Sequence, residues 1–142
     1  MDKSKSYLKG MYYVLLIEYI ALLLCFTVIC RPSSESYSVH TEFLWGYNKP
    51  SEYIFHDNII NVLAFIPIGI LSGIIFKKFT FIRVMLLGLL VSETIECCQL
   101  IFKRGTFDVD DILNNTAGAF IGFLLFLLIS FTTKQIKSAS SK

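Results

Sequence analysis

The sequence predicts an all-α polytopic membrane protein, a bundle of four transmembrane helices with both termini in the cytoplasm. Three observations carry that reading. The 142-residue chain is 54% hydrophobic and only 17% charged, with a mean hydropathy of +0.62, which is more apolar and less charged than a soluble domain. Four windows, roughly residues 11–30, 58–76, 82–102 and 112–131, reach the ~20 mainly apolar residues that a helix needs to cross the hydrocarbon core. Lys and Arg are spread unevenly over the connections, nine on one side and four on the other, and such residues collect on the cytoplasmic side. A net charge of +2 gives no electrostatic footprint for nucleic acid, and no internal repeat divides the chain.

Residues 1–10 form a basic cytoplasmic tail with Lys3, Lys5 and Lys9. The next segment, "MYYVLLIEYIALLLCFTVIC" (11–30), is transmembrane helix 1 and not a signal peptide. Its apolar run exceeds an h-region of about 7–15 residues, and no small-x-small cleavage site follows. Leu24 and Ile29 precede Cys25 and Cys30 where a lipoprotein site wants a small residue, so the helix is expected to stay in the membrane. Residues 31–57 are an outer loop carrying Tyr37, Trp45, Tyr47 and Tyr53, aromatic types enriched at the membrane interface. Residues 58–131 hold transmembrane helices 2–4, and 132–142 form a second cytoplasmic tail. The cysteines, Cys25, Cys30, Cys97 and Cys98, make no C-x-x-C pair and avoid the outer loops, so they read as small apolar residues and not as a disulfide or zinc framework.

Polar residues inside the spans recur at helical spacing. In the third helix Ser92, Glu96 and Gln99 share a face, and in the fourth Asp111, Asn115, Gly118 and Gly122 do the same. The second contributes Asn58, Asn61, Phe65, Gly69 and Ser72 near one face, with Pro67 removing an amide from the ladder. Glu96 falls about six residues, or ~9 Å, below the outer end of its helix. An acid at the bilayer centre costs ~2.5–3.5 kcal/mol on insertion scales, so Glu96 is expected to face protein or water. The alternating directions of the helices put Asn61, Gln99, Asp111 and Asn115 at one depth. Gly69 with Gly73, and Gly118 with Gly122, are small-x-x-x-small pairs that let helices approach closely.

Three blocks, "NVLAFIPIG" (61–69), "IECCQ" (95–99) and "FDVDDILNNTAGAFIG" (107–122), resemble the recurring blocks of the VanZ-like family in their order and separation. The resemblance covers roughly 57–131 and rests on the three blocks together. It places Asn61, Pro67 and Gly69 in the first block, Glu96 and Gln99 in the second, and Asp108, Asp111, Asn115 and Gly118 in the third. The first outer loop departs from the pattern: "HTEFLWGY" keeps Phe43 and lacks the family's proline. The family is named for a membrane protein of glycopeptide-resistance clusters associated with reduced susceptibility to teicoplanin. The resemblance therefore implies a bacterial cell-membrane protein and an antibiotic-resistance phenotype, without a molecular activity.

The expected function is binding in an outward-facing polar pocket lined by Asn61, Glu96, Gln99, Asp108, Asp111 and Asn115, with Pro67, Gly69, Gly118 and Gly122 serving helix packing. Its partners would be the lipid bilayer and an envelope precursor or lipoglycopeptide; homo-oligomerisation stays open. Against this stands simple packing, since inter-helix hydrogen bonds in membranes average about 0.6 kcal/mol. Asp108 also reads as a helix cap, with the neighbouring acids opposing the helix dipole. Glu96, Asp108 and Asp111 are the acids from which an acid/base pair or a hard-cation cage would be built. No nucleophile triad, phosphate loop or dinucleotide signature is present, so no reaction and no cofactor are assigned. The alternatives are a small ion- or proton-coupled transporter subunit, with Glu18 and Glu93 as relay groups, or a structural membrane partner. Four helices without inverted repeats would need to oligomerise to enclose a path, and the plainer role of Glu18 and Glu93 is partnering with a tyrosine hydroxyl or Ser92 inside the bundle. Arg104 is expected to pair with an aspartate, contact an anionic headgroup or stay solvated.

Overall fold

The computed structural model describes residues 3–33, 38–42, 44, 47, 52–76 and 80–140, and among these four long helices dominate. Tyr37, Trp45, Lys49, Lys77, Lys78 and Lys142, to which the sequence assigns interface or topological roles, and Phe43 of the first outer loop lie outside the described residues, as do the side chains of Lys3, Lys5 and Tyr53. Helix α1, Lys3–Leu24, passes directly into a π-helical turn, Cys25–Ile29. Helix α2 is Glu52–Ile75, α3 is Thr80–Ile101 and α4 is Val109–Ser140. Each contains a stretch long and apolar enough to cross a membrane: Ser6–Ile29, Phe55–Ile75, Thr80–Ile101 and Val109–Ser140. Two-residue strands β1, Val39–His40, and β2, Phe107–Asp108, pair in parallel beside the helix ends.

The boundaries differ from expectation at the carboxyl end. Helix α4 continues through "TTKQIKSAS" (132–140), where a tail was expected, because no Gly or Pro interrupts it. Its 32 residues extend about 48 Å at 1.5 Å per residue, more than a hydrocarbon core of ~30 Å. The stretch beyond the apolar window carries Lys134 and Lys137.

The contacts run in alternating directions. Tyr19 of α1 donates to Ala64 O of α2 at 2.8 Å, and Thr27, further along, meets Gln99 of α3. Asn115 of α4 meets Ser92 of α3, and Gly88, earlier in α3, abuts Ala119, later in α4. Helices α1 and α3 thus run one way and α2 and α4 the other. The start of α1 and the end of α4 share one end of the bundle; β1, β2 and the polar side chains occupy the other.

The tightest seam joins α2 to α4, and glycine makes it. A Cβ on Gly118 would overlap Val62 O, one on Gly122 would overlap Ile66 O, and one on Gly69 would overlap Ala119 O. Each missing Cβ leaves room for a carbonyl against the glycine Cα, the arrangement of a Cα–H···O contact. Helix α2 runs unbroken through Pro67. Around the seam Phe65, Ile68, Ala119 and Phe123 are buried, with Leu16 of α1 and Val84, Val91 and Ile95 of α3.

The exterior is apolar as well: Leu22, Leu63, Leu90 and Leu128, one from each helix, are more than half exposed. A bilayer removes the cost that water would impose on that surface. Glu18 and Glu93 lie on this exterior and not inside the bundle. Ser92, expected as an internal partner, accepts from Asn115, and the Tyr19 hydroxyl donates to Ala64 O. A relay through the bundle interior would not include either acid.

Candidate functional site

Doubled residues at the start of α4 divide their work between two faces. Asp110 and Asn114 are four apart, as are Asp111 and Asn115, and a one-residue step turns a helix by about 100°. The first pair holds the connection between α1 and α2: Leu44 N donates to Asp110 Oδ1 at 2.7 Å, and Tyr47 OH donates to Asn114 Oδ1 at 2.6 Å. Asn114 Nδ2 in turn donates to Asn58 Oδ1 at 2.9 Å. The second pair faces a cavity of about 240 Å³ among all four helices.

That cavity is lined by Asn61 of α2, Glu96 and Gln99 of α3, and Asp111 and Asn115 of α4, with Phe26, Thr27, Arg31, Asp57 and Ile60 among the other walls. One hydrogen bond fixes each predicted residue. Asn61 Nδ2 donates to Asp111 Oδ1 at 2.6 Å, Asp108 N to Glu96 Oε2 at 3.0 Å, Asn115 Nδ2 to Ser92 Oγ at 2.8 Å, and Gln99 Nε2 to Thr27 O at 3.2 Å. The last bond has a local cause. In a π-helix the carbonyl of residue 27 would take its donor from residue 32, which is Pro32 and has no N–H. Glu96 is 2% exposed and Asn115 3%, so both are held by protein rather than lipid.

Asp108 stands apart from the other predicted residues: it does not line the cavity. Its carboxylate accepts from Asp110 N at 2.8 Å, an aspartate capping the first turn of α4, while its backbone N–H holds Glu96. Burial raises its carboxyl above the ordinary value, opposed by that hydrogen bond from Asp110 N and by the nearby His40, while the charge of Asp110 adds to the rise. Arg104 also acts locally, its guanidinium donating to Arg31 O and tying the α3–β2 connection to the end of α1. Among the described residues, no group of three His, Cys, Asp or Glu is placed to hold a metal ion.

A model of the VanZ/LLP1 family matches residues 11–130. The chain belongs to the VanZ/LLP1 family. Among curated proteins, Protein VanZ of Enterococcus faecium is 39% identical over 83 residues, 58% of this chain and 52% of that protein. The chain therefore spans about half the length of the curated relative it matches. No solved structure matches it.

In this VanZ/LLP1 chain the three sequence blocks meet in space. The first lines the cavity through Asn61 and packs through Gly69, the second supplies Glu96 and Gln99, and the third supplies Asp111 and Asn115 above Gly118 and Gly122. Sequence reasoning missed Arg31 and Asp57, which line the same cavity, because both were assigned to a loop. Their positions beside helix ends were the available signal: Arg31 directly follows the first apolar run, at the level where Gln99 ends the third.

Proposed function

We propose that this protein is a multi-pass protein of the bacterial cell membrane that binds the polar headgroup of an envelope component, and thereby lowers susceptibility to a lipoglycopeptide of the teicoplanin type. The observation that carries the reading is the single cavity shared by Asn61, Glu96, Gln99, Asp111 and Asn115. Support for the phenotype comes from the family match and from the likeness to Protein VanZ. Support for an outward opening comes from the excess of Lys and Arg at the opposite end of the bundle.

Size favours a headgroup over the antibiotic itself. About 240 Å³ is below the ~300–1,000 Å³ of pockets that enclose drug-sized ligands. The polar groups sit beneath the membrane surface, so a bound headgroup is withdrawn from a bulky molecule arriving from outside. The test is the teicoplanin susceptibility of cells expressing wild type, Asp111→Asn or no copy. Wild type is expected to lower susceptibility and Asp111→Asn to restore it. Equal susceptibility of all three strains would reject the proposed phenotype.

A further inference from the structure

Three carboxyl and amide acceptors in the cavity receive no hydrogen bond from a described residue, and they point to the chemistry of what enters. Glu96 and Asp111 each receive one hydrogen bond, at Oε2 and at Oδ1, so Glu96 Oε1 and Asp111 Oδ2 receive none from a described residue. Asn115 is the more telling case. Its amide nitrogen is committed to Ser92 Oγ, while its Oδ1 is buried and has no hydrogen-bond partner. An orphaned buried carbonyl oxygen is costly and calls for a donor.

A bare divalent ion does not fit this set, since no three acidic or imidazole groups among the described residues are placed to share one. The acceptors are spread over two helices and one is a neutral amide. A primary ammonium suits them better, because it brings three N–H donors and a positive charge on one atom. Arg31 lines the same cavity, and its guanidinium donates to no described residue. A planar guanidinium pairs well with phosphate or carboxylate. Phe26 and Ile60, 68% and 58% exposed, also line the cavity, so apolar surface continues from it toward the exterior.

We propose that the cavity recognises a zwitterionic group, its primary ammonium held among Glu96, Asp111 and Asn115 and its phosphate or carboxylate held by Arg31. This rests on the headgroup-binding reading above and names its ligand class. Two sources carry that chemistry, an aminophospholipid and the zwitterionic form of a short peptide.

The experiment is titration of the purified full chain in detergent with dihexanoylphosphatidylethanolamine, its trimethylated choline analogue, the phosphatidylglycerol analogue and the dipeptide alanylalanine. Saturable binding of the ethanolamine lipid or the dipeptide is expected, with both other lipids at least about tenfold weaker, since a hydrogen bond to a charged group is worth that much or more. Binding by the lipid alone assigns the aminophospholipid, and by the dipeptide alone the peptide. Arg31→Gln, at an exposed position, should weaken the zwitterion at least about tenfold and leave ethanolamine itself unaffected. Equal affinity for phosphatidylglycerol or for the choline lipid would overturn the ammonium assignment and leave headgroup binding standing. No binding of any of the four would overturn both.

Discussion

Gly122 of α4 lies against Ile66 of α2 so closely that the carbonyl oxygen of Ile66 occupies the space a Cβ would need. Gly118 stands in the same relation to Val62 one turn earlier. The obstruction is backbone, which no rotamer change can move aside, so even the smallest side chain must push the helices apart. Gly118→Ala and Gly122→Ala are each expected to lower stability by about 1–3 kcal/mol, the usual range for overpacking. Gly10, with nothing within 4 Å of its Cβ position, is the control, and Gly10→Ala should be neutral or slightly stabilising. Thermal unfolding in detergent reads all three, and unchanged stability of the Gly118 and Gly122 variants would remove the seam.

The spans and the stripes were legible because the bilayer imposes a length and the α-helix imposes a spacing. Asn61, Glu96, Gln99, Asp111 and Asn115 came together because i, i+3 and i, i+4 relations survive folding. Which face of a span looks inward was less legible. Lipid is as apolar as the core, so the outward placement of Glu18 and Glu93 left no mark in hydropathy. The π-helical turn was not legible at all. In a regular α-helix, residues five apart point to different sides, whereas here Cys25 Sγ and Cys30 Sγ lie 3.9 Å apart. The same turn precedes Arg31, whose place at the cavity depends on that change of register.

Asp108 offers a test with a definite sign. Its folded pKa is raised above the ordinary 3.8, so the stability it contributes is complete below that value and is lost as pH rises through the folded pKa. Above that range the ionised carboxylate is disfavoured by its burial, a cost that the hydrogen bond from Asp110 N reduces and does not cancel. Asp108→Asn keeps an acceptor for Asp110 N and removes the charge. It should match or exceed wild-type stability at neutral pH and show less decline between acidic and neutral pH. Asp108→Ala loses the cap and should cost ~1 kcal/mol at acidic pH, and less at neutral pH where it also removes the buried charge. Identical pH profiles for wild type and Asp108→Asn would contradict the burial of this carboxylate.

Orientation can be read with cysteine labelling. On a background in which Cys25, Cys30, Cys97 and Cys98 are replaced, Glu42→Cys sits at the cavity end and Gln135→Cys near the opposite end, and both positions are exposed. The distribution of Lys and Arg predicts that a membrane-impermeant maleimide added to intact cells modifies residue 42 alone. Modification of residue 135 instead would invert the topology and turn the cavity toward the cytoplasm.

The remaining question is whether the cavity's acids bind a ligand or merely join helices, and conservative substitution separates the two. In Asp111→Asn the new side chain can still accept from Asn61 Nδ2, and in Glu96→Gln it can still accept from Asp108 N, so the bonds observed at 2.6 and 3.0 Å survive. Both changes remove an ionisable group from a membrane span, where charge is expensive. If the acids only join helices, each variant should be as stable as wild type or more so, and fully active. A ligand-binding role predicts the same stability, within about 0.5 kcal/mol, together with loss of the protection against teicoplanin. A paired measurement on each variant, thermal unfolding in detergent and susceptibility of the expressing cells, keeps folding and function apart. Stable and fully active protein from both substitutions would exclude a role for the charge of Glu96 and Asp111, leaving the amides, Arg31 and Asp57 as the cavity's groups able to hold a ligand.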